Sequence, residues 1–203
     1  MLTLLGSPTS PFVRKVRVSA AILGLEQQIE VKDADTSSLT SELVAQNPLA
    51  KIPTLILQDQ TTLYDSRVIV EYLDFRAGGN IIFPEGQARF IALRQQALAD
   101  GLMDAALLQV YEKRMRASEN YDEGWIERQK VKVANALNYA EAHLAIPTEK
   151  VHIGHIAQAC ALGYLDLRFN GDWRKSCPRL ESWLNSFSER VPAFSKTAAS
   201  LKI

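Results

Sequence analysis

The chain has 203 residues, 47% hydrophobic, with 23 lysines and arginines balanced by 23 aspartates and glutamates; that length supports one large domain or two small ones. A formal net charge of zero offers nothing to nucleic acid or an anionic membrane, and no run of about 18 apolar residues is present to span a bilayer. The start lacks the basic region of a secretory signal, and two cysteines, Cys160 and Cys177, are too few for a disulfide framework; both observations lead us to expect a reduced, cytoplasmic protein.

The first 80 residues alternate between strand and helix patterns. Residues 2–5 read as a strand, and residues 11–23 as a helix stopped by Gly24, a suitable residue just past a helix end. Residues 28–32 alternate like a strand, and 38–45 suggest a short helix. Residues 54–58 and 61–63 flank Asp59-Gln60 as a hairpin. Residues 66–76 are helical, and Gly78-Gly79-Asn80 ends them. A crossover followed by a hairpin implies a mixed sheet covered by helices.

Residues 81–86, with Pro84 and Gly86, read as a linker, and beyond it the strand signal disappears. Residues 87–117 and 121–145 are long helical runs. In the first, Phe90, Leu93, Ala97, Leu98, Leu102, Ala105 and Leu108 recur at helical spacing. Further helices are predicted over 153–169, 179–190 and 194–201. The expected organisation is an α/β domain over 1–80 and an all-helical domain over 87–203.

Three segments carry chemistry. In Gly6-Ser7-Pro8-Thr9-Ser10-Pro11, Ser10 is placed as a helix N-cap and Pro11 as the first helical residue. Free N–H groups and a hydroxyl at a helix start attract an anion, whether phosphate, carboxylate or thiolate. In Asn47-Pro48-Leu49-Ala50-Lys51-Ile52-Pro53-Thr54, a proline stands at the mouth of a strand. In Tyr64-Asp65-Ser66-Arg67, an acid and a hydroxyl open a helix. Taken singly, Ser10 reads as a plain cap, Pro53 as the start of an edge strand, and Asp65-Ser66 as capping.

In this order and spacing the three segments resemble the thioredoxin-like N-terminal domain of the glutathione S-transferases, especially bacterial members with serine at the catalytic position. Ala99-Asp100-Gly101-Leu102-Met103-Asp104 and Ala161-Leu162-Gly163-Tyr164-Leu165-Asp166 resemble that family's helical domain, so the likeness covers almost the whole chain. The resemblance implies a mixed four-stranded sheet followed by a helical bundle. It also implies a detoxifying transferase that uses glutathione as cosubstrate, takes a small electrophile, needs no metal and forms a homodimer. Ser10 would donate a hydrogen bond to the glutathione sulfur, with Thr9 as the alternative donor. Such a role is physically reasonable, since lowering a thiol pKa from about 8.5 by about 2 units requires roughly 2.7 kcal/mol. The resemblance further implies a cis Ile52–Pro53 bond that turns the Ile52 backbone toward the peptide, with Lys51 near a peptide carboxylate. Asp65 and Ser66 would hold the γ-glutamyl end.

Tyrosine-type chemistry is not matched, because no tyrosine precedes Tyr64. Cysteine-type chemistry is excluded too, since no cysteine precedes Cys160, which reads as core. Alternatives on the same fold are a non-catalytic interaction module and a glutathione-dependent isomerase or dehalogenase. Arg14, Lys15 and Arg17 read as a solvated helix face, and Arg67 as serving contacts between domains or subunits. Pro8, Phe12, Met103, Leu107 and Tyr111 are candidate walls for an apolar pocket. One departure stands out. His152-Ile153-Gly154-His155 replaces the family's Ser/Thr-x-x-Asp capping box, so both side-chain roles of the box are expected to be missing. The two histidines lack further ligands at metal-binding spacing.

Overall fold

In the computed structural model, which describes residues 1–36, 42–143 and 150–199, the chain opens with β1 (Leu2–Gly6), whose Leu2, Leu4 and Leu5 are buried. Helix α1 (Pro11–Ile22) follows, and Gly24 takes the left-handed conformation just past its end. The chain returns as β2 (Ile29–Asp33), parallel to β1 and mostly exposed at the sheet edge. After α2 (Glu42–Gln46) come β3 (Thr54–Ile56) and β4 (Thr62–Leu63), then α3 (Ser66–Arg76). β3 is antiparallel to both β1 and β4, which gives the mixed four-stranded order β2-β1-β3-β4. This is the sheet that the pattern of a crossover and a hairpin predicts. Of the short helix expected over 38–45, residues 38–41 lie outside the described residues.

The rest of the described chain is helical: α4 (Gly86–Met115), α5 (Glu123–Ala142), α6 (Ile153–Phe169), α7 (Pro178–Arg190) and α8 (Pro192–Lys196). The end of the helix expected over 121–145 and that of the one over 194–201 also fall outside the described residues. Helix α6 is apolar all round and buried along most of its length, from Ile153 to Leu165, as a central helix must be. It packs on α4 and α1. At Gly154 a Cβ would stand 2.8 Å from the Ala92 carbonyl oxygen. Glycine there lets α6 close directly on α4.

Two expectations about faces fail. In α4, Phe90 and Leu108 are 66% and 39% exposed, while the buried set includes Ala92, Ala99, Leu102, Met103 and Ala106. The helix contacts both α5 and α6, so small residues fill its close contacts and some large apolar ones are left outside. The basic cluster of α1 is not a solvated face either. Lys15 is wholly buried and Arg14 is half-buried, because α1 is covered by α3 on one side and by α6 and α8 on the other.

Candidate functional site

Sheet register brings the three chemical segments to one end. Leu5 faces Thr54, so the chain leaving β1 at Gly6 and the chain entering β3 from Pro53 meet at the same edge. Leu55 faces Leu63, so β4 hands Tyr64 and Asp65 to that edge as well.

Ser10 caps α1: its Oγ accepts from the Val13 N–H at 3.3 Å. That bond uses a lone pair and leaves the hydroxyl proton free to donate. Capping and donation are therefore compatible in one side chain. Ser10 lines a small cavity with Pro8, Thr9, Arg14, Cys160 and Tyr164. The Thr9 hydroxyl lies 3.3 Å from that of Ser7 and so has a local partner. Cys160 is fully buried, and burial pushes its thiol up to about 11, so it carries no thiolate at neutral pH.

The Ile52–Pro53 bond is cis, as the resemblance implies. The backbone N–H and C=O of Ile52 have no hydrogen-bond partner among the described residues, which leaves them open to an extended peptide. The loop before them is pinned by Asn47, which sequence reasoning missed. Buried Asn47 donates from Nδ2 to the Lys51 carbonyl at 2.9 Å and to the Thr54 hydroxyl at 3.0 Å, and its Oδ1 accepts from the Leu49 N–H. Asn before Pro-Leu was the available signal, since Asn side chains bond their own backbone two residues on. Lys51 itself is exposed.

Asp65 caps α3, accepting from the Arg67 N–H at 2.9 Å. Ser66, the first residue of the helix, is 2% exposed. Arg67 Nε lies 3.8 Å from Asp65 Oδ2 and 3.3 Å from Asp100 Oδ2, so it ties α3 to α4. Asp100 Oδ1 in turn accepts from Lys15 Nζ at 2.7 Å, a fully buried ion pair between α1 and α4. Lys15 shares its helix face with Pro11, Val18 and Ser19, all of them buried. Nearby Asp104 has its carboxyl held above the usual range, first by desolvation and then by the Asp100 charge.

The His-x-x-His segment corrects the expectation that the capping box is lost. His152 Nδ1 accepts from the Gly154 N–H at 3.2 Å, and His155 Nδ1 accepts from the His152 N–H at 3.5 Å. The two rings stack with centroids 3.6 Å apart, and His155 also lies against Trp183 of α7. A neutral imidazole has one acceptor nitrogen, which is sufficient for a cap. Desolvation, followed by the His152 and Arg190 charges, pushes the His155 pKa down to about 3; burial also lowers that of His152. Both rings are thus held neutral. Among the described residues, no group of three or more His, Cys, Asp or Glu side chains is placed to hold a metal ion, and no helix is long and apolar enough to cross a membrane.

Comparison with known proteins follows the same lines. A family model for the glutathione S-transferase N-terminal domain matches residues 4–80. The uncharacterized GST-like protein YibF of Escherichia coli (strain K12) is 36% identical over 174 residues, which cover 82% of this chain and 83% of that one. A glutathione transferase family member from Pseudomonas fluorescens Pf-5, solved with bound glutathione, is 38% identical, with a TM-score of 0.89 over 99% of this chain and 100% of that one. A second structure from that organism, with bound S-(propanoic acid)-glutathione, is 40% identical, with a TM-score of 0.84 over 98% of this chain and 99% of that one.

Proposed function

Since the chain belongs to the glutathione S-transferase family, we propose that it is a serine-type transferase that activates the thiol of glutathione for attack on a small electrophile. Ser10 carries the reading. Its hydroxyl caps α1 through a lone pair and keeps its proton for a sulfur at the end of the sheet. The Ser10 O–H and the positive end of α1 together favour thiolate over thiol. The peptide pairs with the open backbone of Ile52 as an added strand. Its γ-glutamyl carboxylate sits on the N–H groups at the start of α3 and the Ser66 hydroxyl, and Asp65 takes the ammonium group. Lys51 faces a peptide carboxylate.

The reaction forms a carbon–sulfur bond and expels the leaving group of the electrophile. The 40%-identical relative binds S-(propanoic acid)-glutathione, which supports the same cleft holding a thioether conjugate here. Residues 1–80 form the glutathione domain in this reading, and 87–203 form the helical domain beside the electrophile. Exposed Val68 and Phe75 on α3 and Phe90 and Ile91 on α4 form apolar surface suited to a second copy, which supports a homodimer. A cytoplasmic role in detoxification fits this chemistry. The non-catalytic module is disfavoured because Ser10, Asp65 and Ser66 are all kept. Retention on immobilised glutathione, followed by turnover of a panel of electrophiles, tests the reading. Retention without turnover of any electrophile would replace it with the binding module.

A further inference from the structure

The cavity beside Ser10 has a volume of about 20 Å³. One water needs roughly 10–15 Å³, so there is room for about one water and for no organic molecule. The cavity lies on the α6 side of Ser10. Cys160, Gly163, Tyr164 and Leu167 line it, and neither residues 51–53 nor residues 64–66 reach it. Arg14 forms its wall from α1, with Nε donating to the Thr197 hydroxyl at 3.4 Å and Nη2 to the Phe194 carbonyl at 2.6 Å. Gly163 makes way for this guanidinium, since a Cβ there would collide with Nη1. Burial lowers the Arg14 pKa, and the Asp166 charge acts against that. Cys160 is a neutral thiol, its pKa pushed up by burial to about 11. With an acid already facing its one cation, the cavity suits a neutral occupant that makes hydrogen bonds.

Two hydroxyls on this cavity complement each other. Tyr164 is 3% exposed and lines it. Arg168, one turn along α6, acts on the Tyr164 hydroxyl through a side-chain hydrogen bond, with its guanidinium carbon 6.0 Å from the centre of the ring. A guanidinium can only donate, so the phenol oxygen accepts there and its own proton is still to be placed. Among the described residues that buried O–H has no acceptor. Burial pushes the phenol up to about 12, so the proton stays on at any working pH. A buried donor without an acceptor is costly and calls for an explanation. Ser10 has the converse surplus. Its Oγ spends one lone pair on the Val13 N–H and keeps a second. No hydrogen bond joins the two hydroxyls directly, and the cavity that both line is the size of one water.

We propose that the cavity binds one ordered water that accepts from the Tyr164 hydroxyl and donates to the second lone pair of Ser10 Oγ, which makes Tyr164 a positioning residue for Ser10. This rests on the transferase reading above and adds what orients its hydroxyl. The water also meets the Arg14 guanidinium, which gives it three polar partners, the usual number for a buried water. With both lone pairs of Ser10 Oγ occupied, by the Val13 N–H and by the water, its proton is left pointing to the sheet side, where the sulfur sits in that reading. Each hydrogen bond in such a chain polarises the next, so Ser10 becomes a stronger donor to the thiolate. Tyr164 itself touches neither glutathione nor the electrophile.

The test joins crystallography of the full chain to a double-mutant cycle. A high-resolution crystal structure of the parent should show one water between Tyr164 and Ser10, and that of Tyr164→Phe should lack it. A parent cavity that holds no water overturns the proposal whatever the variants do. The pKa of glutathione bound to the full chain is then read from thiolate absorbance across pH, which needs no electrophile. Tyr164→Phe keeps the ring and changes no charge. It should raise that pKa by about 0.2–0.6 unit, the 10–30% by which one hydrogen bond strengthens the next, taken over a lowering of about 2 units. Thiolate below the pKa then falls about two- to fourfold. In a Ser10→Ala background the same substitution should shift nothing, because the water has lost the atom it acts through. An unmoved pKa in Tyr164→Phe, or an equal shift with and without Ser10, overturns the positioning role. If Ser10→Ala alone leaves the pKa unmoved, the serine-type reading fails by itself. The crystal structures then decide the water site: a water present in the parent and lost in Tyr164→Phe supports it, and one that stays in Tyr164→Phe rejects it.

Discussion

Helices α1 and α6 both begin with a side-chain cap, but the two caps face different surroundings. Ser10 stands at the end of the sheet, half-buried, with its proton uncommitted and a cavity in front of it. His152 and His155 stand inside the helical bundle, stacked on each other and against Trp183, with Nδ1 of each accepting a backbone N–H. The same local device serves two ends. In the proposed reading a cap becomes a chemical group where its second hydrogen-bonding capacity meets open space, whereas the cap of α6 is closed over by packing.

The largest effect is expected where the open end is held in place. Lys15 fixes α1 to Asp100 of α4 inside the protein. Asp100→Ala would strand a buried ammonium and should destabilise the fold by about 3–5 kcal/mol. Denaturant melts of the variant should show it, and a loss below about 1 kcal/mol would mean that Lys15 reaches water or another acid.

Ser10→Ala removes the open cap. Turnover should fall about 10- to 100-fold, the loss of a hydrogen bond to a charged group, with the pKa of bound glutathione raised. Binding should change less, because the proposed backbone and γ-glutamyl contacts do not involve Ser10. An unchanged pH–rate profile would transfer the role to Thr9. Asp65→Ala should weaken glutathione binding by about 1–3 kcal/mol; calorimetry giving equal affinity for variant and parent would remove Asp65 from the site.

The closed cap should register in stability rather than in catalysis. His155 is neutral in the folded protein, with its pKa near 3, and titrates near 6.5 when unfolded. The folded state therefore binds fewer protons, and stability is full above about pH 6.5. It should fall below that by up to about 1.4 kcal/mol per pH unit for this group, down toward pH 3. Replacing both histidines, His152→Ser with His155→Asp, restores acceptors that do not titrate in that way. Because the imidazoles already cap and stack, the gain at pH 7.5 should be under about 1 kcal/mol, growing as pH falls. Urea midpoints at pH 7.5 and 5 measure this. Parallel pH dependences in parent and variant would show that protonated histidine keeps its place.

The element order, the mixed sheet and the passage to an all-helical second half were legible in the chain because they rest on local signals: alternation, caps, and turn residues such as Gly24. The positions of Ser10, Pro53 and Asp65 at element starts were legible for the same reason, and strand register then explains why they share one end. What the sequence could not decide were matters of who packs on whom. Periodicity picked Phe90 and Leu108 as core, but α4 buries small residues against α5 and α6 and leaves those two outside. Lys15 looked like a surface charge until α4 supplied Asp100, eighty-five residues away. His-x-x-His read as a missing box, because residue type alone does not reveal the tautomer and neutrality that burial imposes. Local conformation follows from nearest neighbours in the chain; burial, ionisation and partner choice follow from residues that only the tertiary fold brings together.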